Sequence, residues 1–375
     1  MRIAVVTETY PPEVNGVSLT VQSLVAGMAE DGHELIVVRP FQPGVSTLPL
    51  AQPVHELLVP GAALPKYPGL RFGFPAGGKL TRLFDTHRPD AVYVATEGPL
   101  GWSAVRTARR LCIPVATGFH TRFDAYAGAY GLGPLTSVVR HWLRRLHNAS
   151  GATVVPTPEL REWLERHGFQ RVRVVARGVD TRLFDPARRQ RKLRERWGVA
   201  PDGLAVVYVG RIAAEKNLDL AIQAFRRIKE KRTDARFVWV GTGPLAGRFA
   251  REYPGFVFTG LRLGEDLAEH FASADLFLFP SLTETFGNVT LEAMASGVPT
   301  IAFDYGAARA HLTDREHGRL VPNGDEAAFI QAAVEVATDA ERRRAMGISA
   351  RRAVQPLRPE RVARDFVGVL ATLTT

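Results

Sequence analysis

LFLFPSLTETFGNVTLEAMASG, residues 276–297, decides the fold. Its first four residues form an apolar run with the length of a buried strand, and the segment from Leu291 to Ala295 has the composition of a helix. Gly287 lies where the one turns into the other. The start of a helix points backbone N–H groups outward, where an anion docks. Two carboxylates flank the turn: Glu284 in the loop and Glu292, expected in the first helical turn, so both face one crevice. Amides for a phosphate and carboxylates for pairs of hydroxyls suit a polyhydroxylated, phosphate-bearing ligand.

Working outward, short β-branched runs alternate with helical stretches along the whole chain, which predicts an α/β fold with parallel sheets. Strands are expected at 2–7, 34–39, 91–94, 115–118, 153–156 and 172–175. After Gly178-Val179-Asp180 the alternation restarts, with strands expected at 205–209, 236–240, 257–259, 276–279 and 299–303. A chain of 375 residues is too long for one ordinary core, and two domains are expected. The boundaries read as 1–180 and 181–356, with a final helical segment, 357–375, crossing back onto the first domain. Two doubly wound units in one chain predict a ligand cleft at the carboxyl ends of their strands.

Composition narrows the chemistry. Hydrophobic residues make up 46% of the chain, and no run reaches the ~18 apolar residues that would span a bilayer. Glu8 falls too early for the apolar region of a signal peptide, so the opening reads as a first strand. A single cysteine, Cys112, excludes a disulfide framework and suits a reducing cytosol. The net charge of +10 implies an anionic partner: nucleic acid, an anionic membrane surface or a phosphorylated substrate.

Several constellations sharpen this. Gly210-Arg211 ends an expected strand, and Lys216 precedes the next helix. A forked guanidinium and a mobile ammonium on one loop suit a pyrophosphate. Asn15-Gly16 lies between the first strand and first helix, where glycine lets backbone approach a phosphate. His120 follows the strand 115–118, at a carboxyl end, and reads equally as a substrate contact or a satisfied structural histidine. The run 73–80, GFPAGGKL, is not a P-loop, because Leu80 stands where Ser or Thr must meet magnesium and no strand precedes it. No G-x-G-x-x-G occurs, nor Asp-x-Asp, nor a His/Cys cluster with metal-ligand spacing, so neither a dinucleotide nor a metal is expected. Residues 136–148, TSVVRHWLRRLHN, form a basic amphipathic segment. It suits an anionic leaflet, through Arg140, Trp142, Arg144 and Arg145, or packing on the first domain's core.

Taken together, the motifs resemble family-4 retaining glycosyltransferases of the GT-B fold. The matching positions are Asn15-Gly16, Gly118-Phe119-His120, Gly178-Val179-Asp180, Gly210-Arg211 with Lys216, Gly241-Thr242-Gly243-Pro244, and Glu284 through Glu292. They fall in the family's order over nearly the whole chain. The runs TETYPPEVNGVS (7–18) and FLFPSLTETFGNVTLEAMASG look most like GDP-mannose-dependent α-mannosyltransferases and glycolipid glycosyltransferases. The resemblance implies two Rossmann-like domains facing a central cleft and a metal-independent, front-face transfer without cofactor. It implies that Arg211 and Lys216 neutralise the departing diphosphate, Glu292 binds the ribose and Glu284 the transferred sugar. Backbone at Phe286, Gly287, Asn288 and Gly16 would contact sugar and phosphate, and His120 the sugar near its anomeric centre. Many relatives carry Gly-Gly at the first turn; Asn15 departs from that pattern and is a candidate acceptor contact. The expected partners are a nucleotide-sugar, a lipid or glycolipid acceptor and the inner face of a membrane, but no nucleic acid. A UDP-sugar donor (glucose, glucuronic acid or sulfoquinovose type), a soluble or polysaccharide acceptor, a nucleotide-sugar 2-epimerase and a basic nucleic-acid-binding protein are the alternatives.

Overall fold

The computed structural model describes residues 1–42, 54–63, 71–120, 136–282 and 284–374; Thr283 of the quoted 276–297 stretch lies outside them. The chain divides into two units, the first of residues 1–178 and 359–375, the second of residues 179–358. The sequence reading put these divisions at 180/181 and 356/357.

The first unit carries the strands β1 (Arg2–Val6), β2 (Glu34–Pro40), β3 (Val54–Val59), β4 (Gly61–Ala63), β5 (Arg71–Gly73), β6 (Ala91–Val94), β7 (Val115–Gly118), β8 (Ala152–Val155) and β9 (Val172–Val174). Seven of them form one sheet in the order β3-β2-β1-β6-β7-β8-β9, every pair parallel. Side-chain alternation divides β1 and β2 between two cores: Ile3, Val5, Leu35 and Val37 face one side, and Ala4, Val6, Ile36 and Val38 the other. A sheet buried on both faces needs such continuous apolar strands, and each fully buried Val, Ile or Leu contributes about 1.5–3 kcal/mol. The carboxyl-terminal helix Pro359–Ala371 packs on helix Gly16–Glu30. The two approach closely at Gly27, where an added Cβ would lie 2.9 Å from that of Ala363.

The second unit carries β10 (Ala205–Val209), β11 (Arg236–Val240), β12 (Val257–Gly260), β13 (Leu276–Phe279), β14 (Thr300–Phe303) and β15 (Gly318–Val321), in the order β12-β11-β10-β13-β14-β15, again parallel throughout. Val207, Val209, Val238 and Phe277 face one core, and Val206, Tyr208, Phe237 and Leu278 the other.

Four features depart from the sequence reading. β3 is an edge strand whose Glu56 forms a buried ion pair with Arg39 at 2.6 Å, so its polar residues mask it. The short antiparallel pair β4–β5 was not expected, nor was β15, an edge strand of sequence GRLV. Residues 355–357 form a separate 3-10 turn, and the final helix starts at Pro359.

Candidate active site

In the second unit the strand order reverses between β10 and β13, and loops leaving the carboxyl ends of those two strands part there. Arg211 and Lys216 lie on the first loop. The Tyr208 hydroxyl, rising from β10, donates to the Arg211 carbonyl at 2.9 Å and ties the loop down. Lys216 ends a 3-10 turn, Ala214–Lys216, after which Asn217 adopts a left-handed conformation and helix Leu218–Lys231 begins. Glu284 lies on the loop after β13. Its Oε1 forms a close ion pair with the Lys216 ammonium and accepts the Ser281 hydroxyl at 2.8 Å. Both charged side chains are mostly buried, at 14% and 16% exposure, so this pair is shielded from the screening that weakens surface pairs. Arg211 is more open and pairs with Glu215 at 3.4 Å. Burial, then the nearby Glu284 and Glu215 carboxylates, push the Tyr208 phenol well above its ordinary range.

Gly287 takes φ 93°, a left-handed conformation that favours glycine, and caps helix Asn288–Ala295. The helix start moves Glu292 from the expected first turn to the second, since Asn288 is already helical. Burial alone raises its carboxyl to about 7. Its Oε2 is buried and makes no hydrogen bond among the described residues. A buried carboxylate oxygen without a donor costs free energy, so the position is built to receive one. Phe286 turns its ring inward, 2% exposed, against His311, and its carbonyl accepts from the Ala307 amide at 2.7 Å. The Phe286 ring is therefore part of the core packing. Burial lowers His311 to about 4.

In the first unit the reversal falls between β1 and β6. The Asn15 Oδ1 accepts from the Val17 and Ser18 amides, and its Nδ2 donates to Thr9. Asn15 is thus a helix cap with both polar ends engaged, which removes the reason for expecting it to reach a substrate. Gly16 follows it, exposed, as the first helical residue. His120 lies beyond β7 with both ring nitrogens bonded, Nε2 to the Tyr93 hydroxyl at 2.6 Å and Nδ1 to Arg177 at 3.1 Å. Tyr93 and Arg177 were not anticipated, although Arg177 directly precedes the Gly178-Val179-Asp180 motif. Nor were Ser281 and Glu215, which only the folded loops bring beside Glu284 and Arg211.

Helix Thr136–Asn148 divides its apolar residues between two roles. Leu143 and Leu146 are buried in the core, whereas Val138 and Trp142 are 62% and 40% exposed, with Arg145 also exposed. Arg140 and Arg144 are half-buried. No described helix is long and apolar enough to cross a membrane, and among the described residues no group of three or more His, Cys, Asp or Glu could hold a metal ion.

Comparison with known proteins bears on family and fold. Residues 14–183 match the model described as Glycosyltransferase Family 4, and residues 203–339 the model described as Glycosyl transferases group 1. A GDP-mannose-dependent alpha-mannosyltransferase of Mycobacterium tuberculosis is 36% identical over 87% of this chain and 85% of its own. A sulfoquinovosyl transferase of Arabidopsis thaliana is 28% identical over 93% of this chain and 69% of its own. The Anabaena protein Alr3699/HepE, solved in complex with UDP, superposes with a TM-score of 0.79 at 18% identity, covering 100% of both chains. The chain belongs to the family-4 glycosyltransferases of the GT-B fold.

Proposed function

We propose that the enzyme transfers mannose from GDP-mannose to a membrane lipid or glycolipid, with retention of anomeric configuration. The observation that carries the donor-binding reading is the Glu292 carboxylate, whose buried Oε2 has no hydrogen-bond donor among the described residues. A ribose diol supplies the donors it lacks. The 36% identity to GDP-mannose-dependent mannosyltransferases supports guanosine and mannose.

In this reading Arg211 and Lys216 neutralise the diphosphate as it departs, in place of a metal ion, and Glu284 binds the sugar hydroxyls. Backbone of Phe286, Gly287 and Asn288 holds sugar and phosphate. The acceptor attacks from the face the diphosphate leaves, and a phosphate oxygen takes the acceptor's proton. Catalysis then rests on preorganised positive charge around the leaving group. His120, with both ring nitrogens bonded, acts as a hydrogen-bonding group and not as a base. Exposed Val138, Trp142 and Arg145 support a peripheral contact with the inner face of a membrane, where the lipid acceptor resides.

The test is thermal melting of the protein with GDP or UDP in EDTA, followed by transfer assays with GDP-mannose and lipid extracts. A ligand at a hundredfold excess over Kd stabilises by about 2.7 kcal/mol. A shift with GDP and mannose incorporation into lipid are expected. A shift with UDP alone overturns the donor, and the sulfoquinovosyl transferase likeness makes that the second reading.

A further inference from the structure

Arg177 is 7% exposed in the first unit, just after β9, and its guanidinium reaches two elements. Its Nη2 lies 3.1 Å from His120 Nδ1, and its Nη1 donates to Thr20 Oγ1 at 3.0 Å. The Thr20 hydroxyl in turn donates to the Gly16 carbonyl at 2.6 Å. One buried cation therefore joins His120 to the first turn of helix Gly16–Glu30, where Gly16, another candidate residue of this unit, lies.

The chemistry of that contact fixes a proton. A guanidinium carries only donors, so His120 Nδ1 must be an acceptor, and the ring proton must sit on Nε2. The Nε2–H then donates to the Tyr93 oxygen at 2.6 Å. The fold is built for this bond: a Cβ on Gly118 would lie 2.3 Å from the Tyr93 oxygen and 2.6 Å from His120 Nε2. We propose that Arg177 is a positioning residue that holds His120 as its neutral Nε2–H tautomer, making the ring a hydrogen-bond donor to a substrate hydroxyl that takes the place of Tyr93. The inference deepens the glycosyl-transfer reading and rests on it for the substrate. The tautomer itself does not depend on that reading.

Groups around the ring point the same way. Burial lowers His120 well below its ordinary value, and the Arg177 charge and then His147, from helix Thr136–Asn148, lower it further. Tyr93, from β6, stays protonated because burial raises its phenol beyond the normal range, with Glu97 adding to the effect. Thr20, the contact from helix Gly16–Glu30, is uncharged. Removing the Arg177 charge is therefore expected to raise the His120 pKa.

The experiment uses the full chain labelled with 15N-histidine, and His120→Asn to identify the His120 signal. Long-range proton–nitrogen correlations between pH 5.5 and 8 report tautomer and charge directly. Wild type is expected to show the proton on Nε2 and no titration over that range. In Arg177→Met both tautomers are expected, because no donor then fixes Nδ1 as the acceptor, and the ring pKa is expected to rise while burial and His147 still hold it below the ordinary histidine value. Arg177→Lys, which still offers a donor, is expected to restore the Nε2–H form. In transfer assays, kcat/KM of Arg177→Met is expected to fall about twofold or more, because a ring shared between two tautomers presents the Nε2–H donor only part of the time, and Arg177→Lys is expected to recover it. A wild-type proton on Nδ1, or an Arg177→Met ring that keeps the Nε2–H tautomer alone, overturns the proposal. If Arg177→Met does not fold, the wild-type tautomer decides alone. A donor that wild type fails to use overturns the glycosyl-transfer reading and leaves the nitrogen spectra as the test of Arg177.

Discussion

At the scale of single residues, the second unit holds two carboxylates in opposite circumstances. Glu284 is neutralised by Lys216 and hydrogen-bonded by Ser281, whereas Glu292 is buried with one oxygen unsatisfied and its carboxyl raised to about 7. Glu284→Ala removes an anion from beside Lys216. Bare GDP is then expected to bind at least as tightly as in wild type, while transfer falls about 100-fold or more through lost contacts to the sugar. Lys216→Ala takes away a charge-assisted contact to the leaving phosphate, worth about 1.5–3 kcal/mol, and is expected to lower affinity roughly tenfold and turnover as well. Titration calorimetry paired with initial rates separates the two variants, and wild-type turnover in Glu284→Ala would sink the site. For Glu292 the sign follows from its direction. A carboxyl raised in the folded state contributes stability that is complete below its unfolded pKa near 4.5 and is lost as pH rises through about 7. Ribose hydroxyls donate to the ionised form, so nucleotide binding is expected to strengthen between pH 6 and 8 and to release a proton near pH 7. Calorimetry in two buffers of different ionisation enthalpy measures that release. Glu292→Gln is expected to abolish it, to weaken nucleotide binding and to make the melting temperature less sensitive to pH in this range.

At the scale of elements, Asn15 shows how a sequence departure acquires its meaning. The helix Gly16–Glu30 has no acidic residue in its first turn, so Asn15 alone supplies the side-chain cap to Val17 and Ser18. Asn15→Ala is expected to cost about 1 kcal/mol, lowering the melting temperature by about 2–4 °C for a domain of this size. Asn15→Asp, which keeps the accepting oxygen, is expected to recover most of it, and unchanged acceptor kinetics in both variants would place Asn15 in the fold and not in the site. The same contrast explains what was legible beforehand. Central strands were readable because burial on both faces demands uninterrupted apolar runs, as in β1, β10 and β13. Edge strands were not: Glu56 of β3 looks like a loop residue until Arg39 is seen 2.6 Å away, across a pairing that no local pattern encodes. In the site, Arg211, Lys216, Glu284 and Glu292 stood out because each lies at a fixed distance from a glycine that ends a strand or starts a helix. Arg177, Tyr93 and Ser281 carry no such mark, since their roles arise from contacts between separate loops. Helix Thr136–Asn148 was readable as amphipathic, yet periodicity alone did not say which apolar residues turn inward. Leu143 and Leu146 fill the core, and Val138 and Trp142 remain outside.

For the molecule as a whole, the question is what a net charge of +10 does. Much of it is structural. Arg351 binds the carbonyls of Thr181, Phe184 and Ala295 together with the Asp185 carboxylate, and Arg194 and Arg189 both converge on Asp275. Such arginines pin loops and are unavailable to a partner, so total charge overstates the attraction to an anionic surface. The charge that remains available beside exposed apolar groups is better judged locally, and helix Thr136–Asn148 supplies it: Val138, Trp142 and Arg145 are exposed one helical turn apart. A tryptophan at this level combines an apolar body with a polar edge suited to the lipid headgroup region, and a basic residue near an anionic leaflet contributes about 1 kcal/mol. Arg145→Gln is therefore expected to lower partitioning onto vesicles containing phosphatidylserine roughly fivefold, since 1.4 kcal/mol is a factor of ten. Trp142→Ser is expected to weaken binding to anionic and neutral vesicles alike, because its contribution is apolar. Raising the salt concentration should erase the Arg145 effect and spare the Trp142 effect, as screening acts on the charge alone. Vesicle co-sedimentation with each variant, alongside melting curves that confirm an intact fold, distinguishes these contributions. If both variants sediment like wild type, the helix does not dock on lipid, and the lipid acceptor must be reached by another surface.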